Sequence, residues 1–286
     1  VGVTFDFYGT LLDLLRQIPE GMSTTARDLA DALGDPRASR AVMDYIKGDE
    51  FQFAVGRVME RKDAKFPMFR DFKSDKPLKK LAEIQKKMAK KVVREDTFSS
   101  AEVIAGTDVA YDSNRAYAYC FVLDRLNNVI DSGSAVVEVD FPYIPGYLTF
   151  REAPVIEAAV RHVVDFDVLM VNGHGVAHPR GCGLASYVGL DLDVPTIGIA
   201  SRRLVGRVGS KADGWTPLIY RGQVVGGRVG FDEGQSIYVS IGHMISLETS
   251  IRIVQATRVH GRLPEPIRLA HMAAEALRRG CGSPSP

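Results

Sequence analysis

The run Val168-Leu-Met-Val171 is the feature that most restricts what this chain can fold into. Four apolar residues cut off by turn-forming ones read as a short buried strand, and such a strand has to sit in a sheet that other elements cover. It is followed by Asn172-Gly-His-Gly-Val-Ala-His-Pro-Arg180, with two glycines and two histidines crowded where the strand ends. Loops at strand ends commonly carry binding and catalytic groups. Gly173 and Gly175 let a backbone approach a ligand closely, while His174 and His178 can donate to phosphate or bind metal. On this segment alone, a glycine-rich turn with two surface histidines fits equally well.

The segment has company. Val103-Ile-Ala-Gly-Thr-Asp108-Val-Ala-Tyr111 is an apolar strand interrupted by one carboxylate, and Pro142-Tyr-Ile-Pro-Gly-Tyr-Leu-Thr-Phe-Arg-Glu152 sets two prolines around an apolar pair. Downstream come Pro195-Thr-Ile-Gly-Ile-Ala200, Ile237-Tyr-Val-Ser-Ile-Gly-His243 leading into Ser246-Leu-Glu-Thr-Ser250, and Arg262-Leu-Pro-Glu-Pro-Ile-Arg-Leu-Ala270. The Asp108 strand, a strand at Arg115–Leu123, the turn Leu126-Asn-Asn128 and a strand at Val129–Val139 suggest a meander.

At 286 residues the chain has room for one large domain or two ordinary ones. No apolar run approaches the ~20 residues of a membrane helix, and no signal-peptide pattern is visible. Cys120, Cys182 and Cys281 show neither metal-site spacing nor an even-numbered disulfide framework, which favours a reducing, cytoplasmic setting. Net charge is +1, yet Arg57 to Arg94 carries 14 Lys or Arg against 5 Asp or Glu. The part Lys76–Arg94 reads as a basic connecting helix that either lies along phosphates or is simply solvated.

In order and spacing, this set of segments closely resembles endonuclease V, the nuclease family that acts on deaminated adenine (inosine) in nucleic acid. The resemblance spans roughly residues 98 to 280. It implies a ribonuclease-H-like mixed α/β sheet flanked by helices and Mg²⁺-dependent hydrolysis 3′ to deoxyinosine, with Mn²⁺ as a substitute. Metal-assisted phosphodiester cleavage needs carboxylates that hold the ion and an activated water. By residue match Asp108 is the central ligand and Glu152 the second carboxylate, while His243 is the histidine that orients water or phosphate. Pro142, Tyr143, Ile144 and Pro145 match the wedge that separates strands beside the lesion: prolines stiffen the turn and Tyr143 with Ile144 supply apolar bulk. Gly173, His174, Gly175, Arg180 and Gly181 would line a pocket for the extruded base or contact DNA, with Arg202 and Arg203 as further phosphate contacts.

Three positions depart from the family pattern. Asn172 stands where the family has a metal-binding aspartate, removing a negative charge worth several kcal/mol at an effective dielectric of ~20. Ser201 replaces a usual lysine, and Tyr187 a usual histidine. Metal affinity and cleavage should both fall. The change at 172 is either an introduced isosteric one or that of a lineage with weakened cleavage.

The first hundred residues read differently. Val3-Thr-Phe-Asp-Phe-Tyr-Gly-Thr-Leu-Leu12 superficially matches the aspartate loop of haloacid-dehalogenase-type hydrolases, but the rest of that fold is missing. Leu15–Ala26, Asp28–Ala30 and Leu33–Val42, with breaks at Gly21 and at Gly34 and Pro36, suggest a helix-turn-helix of winged-helix-like type. This resembles the DNA-binding domain of alkylguanine-DNA alkyltransferases, whose intercalating arginine is matched by Arg40. The nucleotide-turning tyrosine is matched by Ala26. The acceptor cysteine is missing, Met68 of Pro67-Met-Phe-Arg70 standing nearest its place, and a thioether cannot supply a thiolate.

The sequence therefore describes an alkyltransferase-like DNA-binding domain (1–75), a basic helical linker (76–97), an endonuclease V domain (98–280) and a disordered tail (281–286). The expected partner is damaged DNA, with RNA as the second candidate, in the cytoplasm at the nucleoid and not at a membrane; the sequence leaves the oligomeric state open, and a monomer is compatible with it. The competing reading is a damaged-DNA-binding protein in which both chemistries are lost.

Overall fold

The computed structural model describes residues 5–47, 57–59, 67–112, 114–210, 214–230 and 235–280. The tail 281–286, read above as disordered, and Cys281 lie outside them. The chain divides into two compact units, one of Val1–Ile84 with Asp140–Arg151, the other of Gln85–Val139 with Glu152–Pro286.

The first unit opens with three short helices, α1 (Phe7–Arg16), α2 (Ala26–Leu33) and α3 (Ser39–Ile46), with a 3-10 turn at Pro36–Ala38 between the last two. The starts of α1, α2 and the 3-10 turn are each fixed by a side chain, whereas α3 follows the turn directly with Ala38 before it and no side-chain cap. Asp6 accepts from the Gly9 amide, Thr25 accepts from the Asp28 amide, and Asp35 accepts from the Arg37 amide, so donors a helix cannot satisfy internally find partners. Leu11, Leu14 and Leu15 of α1, Leu29 and Leu33 of α2, and Val42 and Ile46 of α3 converge on one core. The core also takes Leu78 and Leu81 from α4 (Pro77–Ala89). The basic helix is therefore not a free linker, because one flank of its first turns is buried. Phe141, Ile144 and Tyr147 complete the same core. The expected boundary at residue 75 misses both additions, since the unit is assembled from two stretches of chain. Backbone bridges join Ser23 to Met68 and Thr24 to Val58, and the Ser23 hydroxyl donates to the Met68 sulfur at 3.6 Å.

The second unit is built on a nine-stranded mixed sheet in the order β3-β2-β1-β4-β5-β9-β8-β7-β6. The strands are β1 (Val103–Tyr111), β2 (Arg115–Asp124), β3 (Val129–Glu138), β4 (Val168–Asn172), β5 (Thr196–Ala200), β6 (Arg207–Val208), β7 (Thr216–Tyr220), β8 (Gln223–Gly230) and β9 (Ser236–His243). The predicted meander β1-β2-β3 is present and antiparallel. Strands β1, β4 and β5 run parallel, and β4 is buried over Val168–Val171 as its composition requires. Helices α5 (Leu148–Val160), α6 (Leu184–Leu192), α7 (Leu247–Ala256) and α8 (Glu265–Arg278) complete the elements. No described helix is long and apolar enough to cross a membrane.

Helix α8 seats on β1 and β2 through Ala270, Ala273 and Ala274 against Ala110, Tyr119, Phe121 and Leu123. Small alanines allow close approach, and Gly106 extends it, because a Cβ there would lie 2.4 Å from the Pro266 Cβ. This seat determines where the middle of α8 falls over β1. Gly106→Ala is expected to destabilise the protein by roughly 1–3 kcal/mol through overpacking, read as a lower urea midpoint at unchanged slope.

Candidate active site

Asp108 sits near the end of β1. The pairing of Thr107 with Val171 puts it level with Asn172, the last residue of β4. Parallel strands thus bring two polar side chains together at one end of the sheet. The Asn172 amide donates from Nδ2 to Asp108 Oδ1 at 2.8 Å, and the Val109 backbone N–H donates to the same oxygen at 2.8 Å. The other oxygen, Oδ2, lies 2.7 Å from Nδ1 of His271 on α8. Asp108 is buried, while the His271 side chain is 54% exposed. The hydrogen bond that the imidazole donates to Asp108 is the main cause that raises its pKa above the ordinary value; burial opposes it and the carboxylate charge adds to it.

An amide, a peptide N–H and an imidazole therefore satisfy this carboxylate. An aspartate at 172 would put two carboxylates in contact, which can coexist only around a cation or a shared proton. The asparagine removes that requirement by offering a donor. Among the described residues, no three His, Cys, Asp or Glu side chains come together closely enough to hold a metal ion. The asparagine therefore leaves the site one carboxylate poorer for holding a divalent cation.

His271 was not among the residues singled out in the sequence. The signal lay one residue past the segment Arg262–Ala270, and His271 follows the buried Ile267 by one helical turn. His243 is the corresponding correction. It pairs with Thr196 at the start of β5, whereas Asn172 pairs with Ile199. Three residues along a strand are ~10 Å, so His243 belongs to the opposite end of these strands. It is buried there, its Nδ1 accepts from the Val93 N–H at 3.2 Å, and burial lowers its pKa. Glu152 lies in α5 and is buried.

The Gly173–Gly183 loop packs against the sheet at this end. A Cβ on Gly175 would lie 1.9 Å from the Ile241 carbonyl, so only glycine fits. His174 is pushed by burial down to about 4 and its Nδ1 has no hydrogen-bond partner. A backbone hydrogen bond to Arg202 opposes that shift but is outweighed by burial. His178 is structural, its Nδ1 accepting from the Arg180 N–H at 3.2 Å. The Arg180 Nε donates to Gln85 at 2.8 Å, and Gln85 donates to the Cys182 carbonyl at 3.0 Å. The buried Gln85 thus ties α4 to the loop. Tyr187 is buried, and desolvation followed by Asp191 and Glu157 pushes its hydroxyl up to about 12. Ser201, Arg202 and Arg203 follow β5 on the surface.

Comparison with known proteins decides the family. The profile described as Endonuclease V matches residues 86–272. The endonuclease V of Methanopyrus kandleri is 45% identical over 204 residues, covering 69% of this chain and 86% of the relative. This chain belongs to the endonuclease V family. The crystal structure of endonuclease V from Streptomyces avermitilis superposes with a TM-score of 0.65 at 30% identity, covering 71% of this chain and 93% of that one. That of Ciona intestinalis endonuclease V, in complex with a 24mer DNA containing an inosine followed by a ribo-adenosine, gives 0.66 at 25% identity, covering 72% and 99%. These likenesses support a mixed-sheet DNA repair endonuclease of a metal-dependent nuclease family.

The Asp108–His271 pair makes a pH prediction. His271 should titrate above ~6.5, the ordinary histidine value, in an NMR titration, and Asp108→Asn should bring it back down. Since the folded-state pKa is raised, the pair's stabilisation is fully present below the unfolded value and fades as pH rises through the folded one. A titration identical in both proteins would show that the pair is not formed.

Proposed function

We propose that this chain recognises deaminated bases, deoxyinosine above all, in DNA as an endonuclease V whose phosphodiester cleavage is weakened at Asn172. The hydrogen bond from Asn172 to Asp108 carries this reading. It supports the reading because it gives the proposed metal-binding carboxylate an uncharged amide donor as partner, where hydrolysis needs a divalent cation, Mg²⁺ or Mn²⁺ in its stead. Asp108, Glu152 and residue 172 are the proposed positions for holding that ion once a carboxylate stands at 172. His271 takes the role assigned above to His243, orienting water or phosphate from the Asp108 side. The exposed Tyr143 serves as the wedge that opens the duplex. The buried Ile144 cannot serve, because it is committed to the first unit's core. The extruded base enters beside Gly173, His174 and Gly175, with Arg180 and Gly181 on the same loop. In the first unit, an alkyltransferase-like DNA-binding role falls to Arg40, whose side chain is 90% exposed beside Asp44.

The alternative, a damage-binding protein with no cleavage, draws support from the same hydrogen bond and from Met68 at the acceptor position. One experiment separates them. Asn172→Asp is expected to raise nicking of an inosine-containing duplex in Mg²⁺ by on the order of a hundredfold, about 2.7 kcal/mol of barrier, and adding Asp108→Ala should abolish it. Matched DNA and RNA oligonucleotides set the substrate class. If Asn172→Asp binds inosine DNA yet leaves it intact in both Mg²⁺ and Mn²⁺, the binding reading replaces the nuclease one.

A further inference from the structure

Residues 1–84 lie outside the span that matches endonuclease V, so the family's chemistry assigns them no task. Yet they share a core with one segment inside that span, Asp140–Arg151. Around the exposed Tyr143, every neighbouring anchor is tied into the first unit. Phe141, Ile144 and Tyr147 are buried among Phe7, Leu11 and Leu78. The Arg151 guanidinium donates to the Phe141 carbonyl at 2.6 Å, and the Tyr147 amide donates to the Ile144 carbonyl at 2.9 Å, closing the turn. The Tyr147 hydroxyl donates to Asp35 Oδ2 at 2.7 Å, in a buried setting. Asp35 is itself gripped by the Arg37 backbone and guanidinium, and Arg37 stacks over the Tyr147 ring at 5.6 Å. Tyr143 is left 61% exposed at the tip of this pinned turn.

We propose that the first unit is the mount of the strand-separating wedge, with Asp35 and Tyr147 as positioning residues that hold Tyr143 rigid so that it can unstack duplex DNA beside a lesion. This rests on the lesion-directed reading above. Unstacking a base step costs a few kcal/mol, and a tyrosine on a yielding loop would recoil and leave the step closed. The buried side chains at 141, 144 and 147 prevent recoil, and the hydrogen bond to a charged acceptor fixes the turn's angle. The wedge prolines stiffen the segment locally, while the core beneath supplies the fixed base.

The test needs binding but no cleavage. The full chain is titrated onto a duplex in which 2-aminopurine flanks inosine, and the fluorescence rise on unstacking is measured. Tyr143→Ala should lose most of the rise. Tyr147→Phe and the isosteric Asp35→Asn should each lower the open-to-closed ratio about tenfold, the weight of one charge-assisted hydrogen bond. The defect should be rescued when the inosine sits in a preformed bubble, where no wedge is required. A merely structural role would weaken duplex and bubble binding alike, and that result overturns the proposal. So does a native-sized rise from both folded mount variants. If the native chain does not prefer inosine DNA over adenine DNA, the lesion-directed reading falls first and takes the mount with it.

Discussion

The Asp108 carboxylate is the charge around which the second unit's site is arranged. A buried carboxylate left unpaired costs several kcal/mol, whereas each hydrogen bond to it from a good donor is worth about 1.5–3 kcal/mol. Three donors reach it from three places: its own strand, the end of β4 and the middle of α8. The parallel pairing of β1 with β4 brings the amide, and the alanine seat with Gly106 brings the imidazole. Sheet order, a small-residue helix face and one glycine therefore all end in the same few ångströms. The arrangement is electrostatically complete without a cation, which distinguishes it from a pair of facing carboxylates.

Much of this was legible in the residues. Val168–Val171 announced a buried strand, the turn Leu126-Asn-Asn128 and its flanks announced a meander, and Asp108 and Asn172 stood out as polar residues of strands. What was not legible depended on three-dimensional register. His243 ends a strand as Asn172 does, but its strand runs antiparallel to β5, and direction reverses which end of the sheet a strand terminus reaches. His271 lay in an ordinary amphipathic helix, where nothing local separates a solvated histidine from one docked on a carboxylate. Ile144 looked like half of an apolar wedge because sequence gives hydrophobicity without direction. Burial then assigned it to a core and left Tyr143 alone at the tip.

Domain limits escaped linear reading for a related reason. Composition marks where a chain changes character, and the basic stretch before residue 97 is such a change. Packing instead follows the contacts of Leu78 and Leu81 below it and of Phe141, Ile144 and Tyr147 some sixty residues further on. Charged outer faces and apolar inner faces of the same helix carry opposite messages about independence, and the apolar one decides the assignment.

The first unit's discontinuity has a consequence for how the molecule is made. A ribosome that has finished α4 has delivered only part of that unit's interior. The aromatic residues that fill the remainder arrive after the whole β1-β2-β3 meander has been synthesised. The meander is thus an insertion that must leave the chain on either side free to close, and the two units mature as interleaved and not successive events. Cutting the gene at the linker would leave one fragment with an unfilled core and the other with exposed aromatic surface.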